Sequence, residues 1–470
     1  MTRNWTDRIG KYIVDPRRMT HNYLLQLTLS LFVTGPCFVD SFFAASTSEI
    51  IDSLQISHEQ FSLLISVPAL TGIVSAVTAV LVALYGSTLS AMISATLSFL
   101  GAVIVAVGLS HGNYATVMIG RIVFVLFWSL LASFQTVIIF RQFRGAALAW
   151  VFSLQIFAIR LGTASGLYFA GPIIDMSNGS VDSAFRTAVF LSGFSLLSTF
   201  VFAYLYRGSR VARLVRPLLS GRRRQLESGV SSIAIVNESM PRDAKILCLV
   251  IFLYYGGLSP FESFGVDYLS NQVGIPRDMA GGMMSTVVMF SFFSPIVASF
   301  LTTVKRQLTC VIAAQGLIGV SMLATVFGLV AHPMVTLSFI GVGHLICVNG
   351  LWLALAGVSP SESAKTKAAS FGSALNSVST SLTSWSTGKI RDVNGDYTVA
   401  FAMLALSILA AMCATIAVHV NRKSEDIPSP RFQMDILLVP NSIPDPITEI
   451  LLPSPTTPII DDYFSKGASS

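Results

Sequence analysis

Gly171-Pro172-Ile173-Ile174-Asp175-Met176-Ser177-Asn178-Gly179, followed by Ala184-Phe185, is the stretch on which the fold turns. Its pattern returns at Gly388-Lys389-Ile390-Arg391-Asp392-Val393-Asn394-Gly395, followed by Ala400-Phe401. Each copy ends one long apolar run and leads into the next. A second echo keeps the same order: Gly120-Arg121 is followed by Trp128, and Gly343-His344 by Trp352. Two matches in register imply an internal duplication, a repeat from which many polytopic membrane proteins are built.

Working outward, 53% of the 470 residues are hydrophobic and 11% charged, with a mean hydropathy of +0.69. A soluble domain carries roughly 25% charged residues, so lipid is the solvent for most of this chain. Apolar runs of about 20 residues recur from near Tyr23 to Val420, each long enough to cross a hydrocarbon core as a helix. Without water in that core only a helix or a closed barrel satisfies the backbone, and barrels read as short alternating segments. Breaks at Gly, Pro and charged residues give spans one to twelve near 21–47, 59–84, 86–110, 113–140, 146–174, 184–206, 244–269, 278–301, 308–330, 334–357, 365–389 and 397–420. The expected architecture is an all-α membrane protein, twelve transmembrane helices in two pseudo-symmetric six-helix halves. Its divisions are an N-terminal segment 1–20, a first half 21–206, a basic linker 207–243, a second half 244–420 and a Pro-rich disordered tail 421–470.

Charge sets the expected orientation. With both termini cytoplasmic, only Arg186, Arg277, Lys389 and Arg391 fall on the far side and Arg121 and Arg160 inside helices, which leaves 24 of the 30 Lys and Arg on the cytoplasmic side. The linker carries Arg207, Arg210, Arg213, Arg216 and Arg222-Arg223-Arg224; it reads as topogenic charge that also attracts anionic lipid, with no nucleic acid required. The polar, basic start shows no signal-peptide pattern. Among the sequons at Asn4, Asn178 and Asn237, only Asn178 faces the far side as a glycosylation candidate. The tail holds eight of the 19 prolines and two Ile-Leu-Leu patterns, so Leu437, Leu438, Leu451 and Leu452 are candidates for docking sorting adaptors. Gln433 and Ile447 stand where such motifs usually carry an acid.

Several function classes are excluded. Cys37, Cys248, Cys310, Cys347 and Cys413 lie in apolar runs without CxxC spacing, which reads as packing and not as a disulfide or zinc framework. There is no GxxxxGK[ST] loop, no metal-ligand cluster and no nucleophile–base arrangement, so neither an enzyme nor a bound cofactor is expected. A transporter or a non-transporting membrane sensor or scaffold is left.

A charge at mid-membrane costs roughly 2.5–3.5 kcal/mol on insertion scales, so each one is a functional candidate. Arg160, about midway along span five, would fork onto a substrate carboxylate; a structural ion pair is the alternative. Arg121, nearer the far end of span four, would snorkel toward water or cap neighbouring carbonyls. His344, its counterpart in span ten, is expected as a neutral imidazole bonded to a backbone carbonyl. Asp40, Glu262 and Asp267 approach the far-side mouth, as vestibule charges or plain interfacial residues. Ser370, Ser373, Ser377 and Thr380, with Asn376 beside them, form a polar stripe on one face of span eleven, either lining a cavity or packing helices. Gly162 and Gly166 signal a close helix approach. Asp175 and Asp392, in the two copies of the repeated stretch, join Arg121, Asp40 and Asp267 as structural or gating candidates.

Ile119-Gly120-Arg121-Ile122-Val123-Phe124, then Leu131-Ala132, Gln135, Gln142-Phe143 and Arg160-Leu161-Gly162, resemble the lysosomal dipeptide transporter branch of the major facilitator superfamily. The likeness continues through Pro260-Phe261, Gly265, Ser294-Pro295, Leu351-Trp352 and Ala369-Ser370-Phe371-Gly372, but not into the tail. The resemblance implies a facilitative uniporter of dipeptides in a lysosome-like membrane, working by alternating access, with an accessory glycoprotein subunit or a homodimer as partner. It places the peptide carboxylate on Arg160. Ser129 stands where that branch has the carboxylate that takes the peptide amine, so an organic-anion or amino-acid carrier is the alternative. Arg160, Ser129, Gln135, Glu262, His344 and Asn376 are the substrate-binding candidates.

Overall fold

The computed structural model describes residues 19–77, 85–142, 145–208, 240–301, 303–330, 332–359 and 362–422. Most of the N-terminal segment and of the linker, and the tail with its sorting leucines, lie outside the described residues. Within them every regular element is helical.

Among the described residues, ten helices are long and apolar enough to cross a bilayer. Spans two and eleven are the exceptions, for different reasons. Span two starts with a capping box, in which Ser57 accepts from the Gln60 N–H and the Gln60 side chain from the Ser57 N–H, carries Pro68 inside, and tightens into a 3-10 turn at Thr71–Val77. Span eleven is one unbroken helix, Glu362–Asn394, but its serines and threonines make it too polar to read as a span by hydropathy. Such a helix is held in a membrane by turning its hydroxyls inward.

Other spans are interrupted along their length. Span one is two helices, Met19–Ser30 and Thr34–Ala45, separated by a turn. The backbone groups freed there are satisfied from span six: the Gly35 N–H donates to the Ser195 hydroxyl at 2.7 Å, and Ser195 donates to the Leu31 carbonyl at 2.7 Å. Span seven, Arg242–Asp267, runs into a π-turn at Tyr268–Gln272. Span eight breaks between Arg277–Met289 and Ser294–Phe300.

Pair by pair, the two halves pack alike. Span three lies on four and nine on ten; span one packs on five and six as seven packs on eleven and twelve. Small residues permit this, since lipid offers no hydrophobic drive between helices and close van der Waals contact must supply it. A Cβ at Gly101 would fall 2.5 Å from the Phe124 nitrogen, and one at Gly120 2.7 Å from the Val105 nitrogen. Gly162 and Gly166 admit the carbonyls of Thr34 and Phe38, which answers the close approach expected at that pair.

Between the halves, span two meets eleven and span five meets eight, the exchange a two-fold relation requires. These seams lie toward the far end, away from the linker. Ser381 donates to the Ser66 carbonyl at 2.7 Å, Gly388 abuts His58 and Ser62, and Gly281 and Gly171 abut Leu167 and Asp278.

Candidate functional site

On the linker side of these seams the halves enclose a cavity of about 540 Å³. That is within the roughly 300–1,000 Å³ of small-molecule sites. Its polar lining comes from six spans: Asp40 of span one, Arg121 and Ser129 of four, Arg160 of five, Glu262 of seven, His344 of ten, and Ser373, Asn376, Ser377 and Thr380 of eleven. Five of the six substrate-binding candidates thus meet in one chamber. Ser370 is exposed and not among the lining residues.

Gln135, the sixth, does not line it. Fully buried, it donates to the Leu29 carbonyl at 2.7 Å, where span one unwinds, and accepts from Gln155 at 3.0 Å. Its amide is spent on a broken helix, and the substrate-contact expectation for Gln135 is corrected to that of a clamp. Only the turn in span one reveals this.

The charged residues sort into three groups. Arg121 is 4% exposed, so it caps and pairs and does not snorkel: Nη1 lies 2.7 Å from Asp40 Oδ1, Nε donates to the Leu64 carbonyl, and the guanidinium sits 4.3 Å over the Phe43 ring. Asp40 is thereby held as its partner. Asp267, expected at the far-side mouth as a vestibule or interfacial charge and as a gating candidate, is 2% exposed in the far-end closure. It accepts from Ser48, from Asn271 at 2.7 Å and from the Tyr397 hydroxyl at 2.7 Å.

The third group faces the cavity without such partners. Arg160 makes no hydrogen bond or ion pair among the described residues, although its charge reaches Cys37, Tyr255, Glu262 and His344. Glu262 Oε1 and His344 Nε2 are both buried and unbonded, 3.8 Å apart. The expected backbone bond of His344 is replaced by the Tyr254 hydroxyl, 2.8 Å from Nδ1. Ser129 is turned onto its own helix, donating to the Val125 carbonyl at 2.8 Å.

The far end is latched by the Glu49–Arg277 pair, which sequence reasoning missed, and by Asp392, a gating candidate whose partners it did not identify. Glu49 and Arg277 form an ion pair across the halves. Asp392 accepts the backbone N–H groups of His58 and Glu59, at 3.1 and 2.7 Å, which caps the start of span two. Its repeat counterpart Asp175 is exposed. The strongest available signal was the repetition of that aspartate itself. Asn178 is also exposed, with φ 55°.

His58, whose Nδ1 lies 4.0 Å from the Asp267 carboxylate, is expected to give this latch a pH dependence. Burial pushes its pKa below the usual value near 6.5, aided by Arg391 and opposed by Asp267, Asp392 and Asp52. Closure therefore favours neutral His58; that contribution is complete above the ordinary histidine range and is lost as pH falls below it. Far-face labelling of a cavity cysteine in sealed vesicles should increase between pH 7.5 and 5. His58→Gln should flatten the profile.

Among the described residues no group of three His, Cys, Asp or Glu could hold a metal ion.

No protein-family model matches the chain. It is similar to the lysosomal dipeptide transporter MFSD1 of Danio rerio, 24% identical over 416 residues, covering 86% of this chain and 87% of that one. The Homo sapiens MFSD1, also described as a lysosomal dipeptide transporter, is 21% identical over 421 residues, covering 87% and 88%. Among solved structures, the inward-open xylose transporter XylE from E. coli matches with a TM-score of 0.65 at 13% identity, over 86% of this chain and 98% of that one. The peptide transporter POT in complex with sulfate matches with 0.64 at 13%, over 87% and 97%. The chain is a multi-pass membrane protein with the major facilitator fold.

Proposed function

We propose that the chain is a secondary transporter that carries a dipeptide, or a related small carboxylate-bearing solute, by alternating access as a facilitative uniporter. One observation carries this reading: a guanidinium at the middle of span five faces a chamber between two halves and has no ion-pair partner among the described residues. A structural arginine in lipid is paired, as Arg121 is; Arg160 is placed to accept its counter-ion from solution. Asn376, Ser129, Glu262 and His344 complete the polar wall. The names of the MFSD1 proteins support the dipeptide class.

In this reading the latched far end faces the lumen of a lysosomal or other endomembrane compartment, and the linker and both termini face the cytoplasm. The division into halves at 21–206 and 244–420, adaptor docking through the tail, and an accessory subunit or homodimer belong to the same proposal. Uptake into proteoliposomes of dipeptides, amino acids, sugars and organic anions, with and without a pH gradient, tests the function. Saturable, gradient-independent flux of a carboxylate-bearing solute is expected; absence of flux for every carboxylate in the panel overturns it. Labelling of an engineered linker cysteine from the luminal face of sealed vesicles would overturn the orientation.

A further inference from the structure

We propose that Glu262, backed by His344, binds the ammonium group of a zwitterionic substrate, so that spans seven and ten supply the cationic-group subsite opposite Arg160. The inference rests on the transporter reading above and deepens it.

Elimination on geometry leads there. Four formally charged side chains line the cavity: Asp40, Arg121, Arg160 and Glu262. The first two neutralise each other at 2.7 Å. Asp267 carries no lining position, and its carboxylate is already surrounded by Ser48, Asn271 and Tyr397. Ser129 carries no charge, and its proton is committed to Val125. One cation and one anion are then left, Arg160 on the first half and Glu262 on the second. A substrate bearing both signs matches this pair, whereas a plain anion leaves Glu262 uncompensated.

The local structure fits an ammonium ion. Glu262 Oε1 is buried and accepts no hydrogen bond, an arrangement that costs free energy until a donor arrives. His344 is only 2% exposed at its side chain, and its unbonded Nε2 faces Glu262 from 3.8 Å, too far for a direct hydrogen bond. Tyr254 fixes the ring through Nδ1. In the tautomer whose Nδ1–H donates to the Tyr254 oxygen, Nε2 is an acceptor, and a primary ammonium has three donors, enough to serve it and the carboxylate together. Because the two charged anchors belong to different halves, the zwitterion would also link them.

The test is substrate-dependent thermal stabilisation of purified protein by a free dipeptide, its N-acetylated form and a monocarboxylate of similar size. Wild type should prefer the free dipeptide to the N-acetylated form by about 10- to 100-fold. Glu262→Gln should abolish that preference while leaving affinity for the N-acetylated form within a few-fold, and His344→Gln should weaken the preference without abolishing it. A preference for the free amine that survives Glu262→Gln, or a wild type that binds the N-acetylated form equally, overturns the subsite and leaves the carboxylate reading standing. A wild type stabilised by none of the three overturns both. If Glu262→Gln does not fold, Glu262→Asp serves: a shortened carboxylate should weaken binding of the free dipeptide alone, and equal weakening of both compounds counts against the subsite.

Discussion

Arg160→Ala is expected to abolish carboxylate binding while leaving the protein folded. A forked, charge-assisted contact in a partly dehydrated chamber contributes about 3 kcal/mol or more, so affinity should fall by roughly 100-fold or beyond. Stability should change little, because Arg160 makes no hydrogen bond or ion pair with the protein among the described residues, and removing a mid-membrane charge relieves a desolvation cost. Arg160→Lys sharpens the test: it keeps the charge but loses the fork, so binding should be weakened and not lost. Thermal shift on the purified variants reads both quantities at once. A folded Arg160→Ala protein that binds like wild type would leave Arg160 without a role in recognition.

Gly281→Val combined with Gly388→Val is expected to stop transport with little loss of folding, by wedging the far end open. A Cβ at Gly281 runs into the Leu167 carbonyl oxygen, and one at Gly388 comes within 2.5 Å of the His58 carbonyl oxygen and of the Ser62 side chain. Both obstacles belong to the other half, so the clash exists only when the halves close there. Overpacking of this kind costs about 1–3 kcal/mol per site. Two sites would outweigh a conformational equilibrium of a few kcal/mol. A cysteine introduced at Ser263, a lining residue, should then react from the far face of sealed vesicles, in a background lacking the native cysteines. Gly162→Val is the contrasting variant. Its clash, with the Thr34 carbonyl, is within one half and persists in every conformation, so it should lower thermal stability instead of changing accessibility. Normal flux in the double variant would show that this end need not close during transport.

Sequence patterns separated these glycines only in part. The Gly162/Gly166 spacing announced a close approach within the first half, but nothing local marks Gly281 as a seam residue, and the repeat singles out Gly388 without showing what it meets, because the atoms both glycines touch are far away in the chain. The aspartate shared by the two repeats was visible at positions 175 and 392. Its use was not: Asp392 caps span two, and Asp175 stays exposed.

By itself the sequence determined the solvent, the number and order of the spans, the duplication, and Arg160 as a charge at mid-depth. These are properties of consecutive residues: hydropathy accumulates along a segment, a helix rises by a constant step, and a repeat is read by comparing the chain with itself. Only the tertiary structure decided which acid is free. Asp40, Glu262 and Asp267 are alike as isolated carboxylates near helix ends; Arg121, 81 residues from Asp40, takes one, and Tyr397, 130 residues from Asp267, helps bury another. Gln135 was misplaced for the same reason, its partner being a carbonyl exposed by a break in a distant helix. Ion pairs and hydrogen bonds form between atoms within about 3–4 Å of each other, whatever their separation in sequence, and that proximity is created by the packing of the helices.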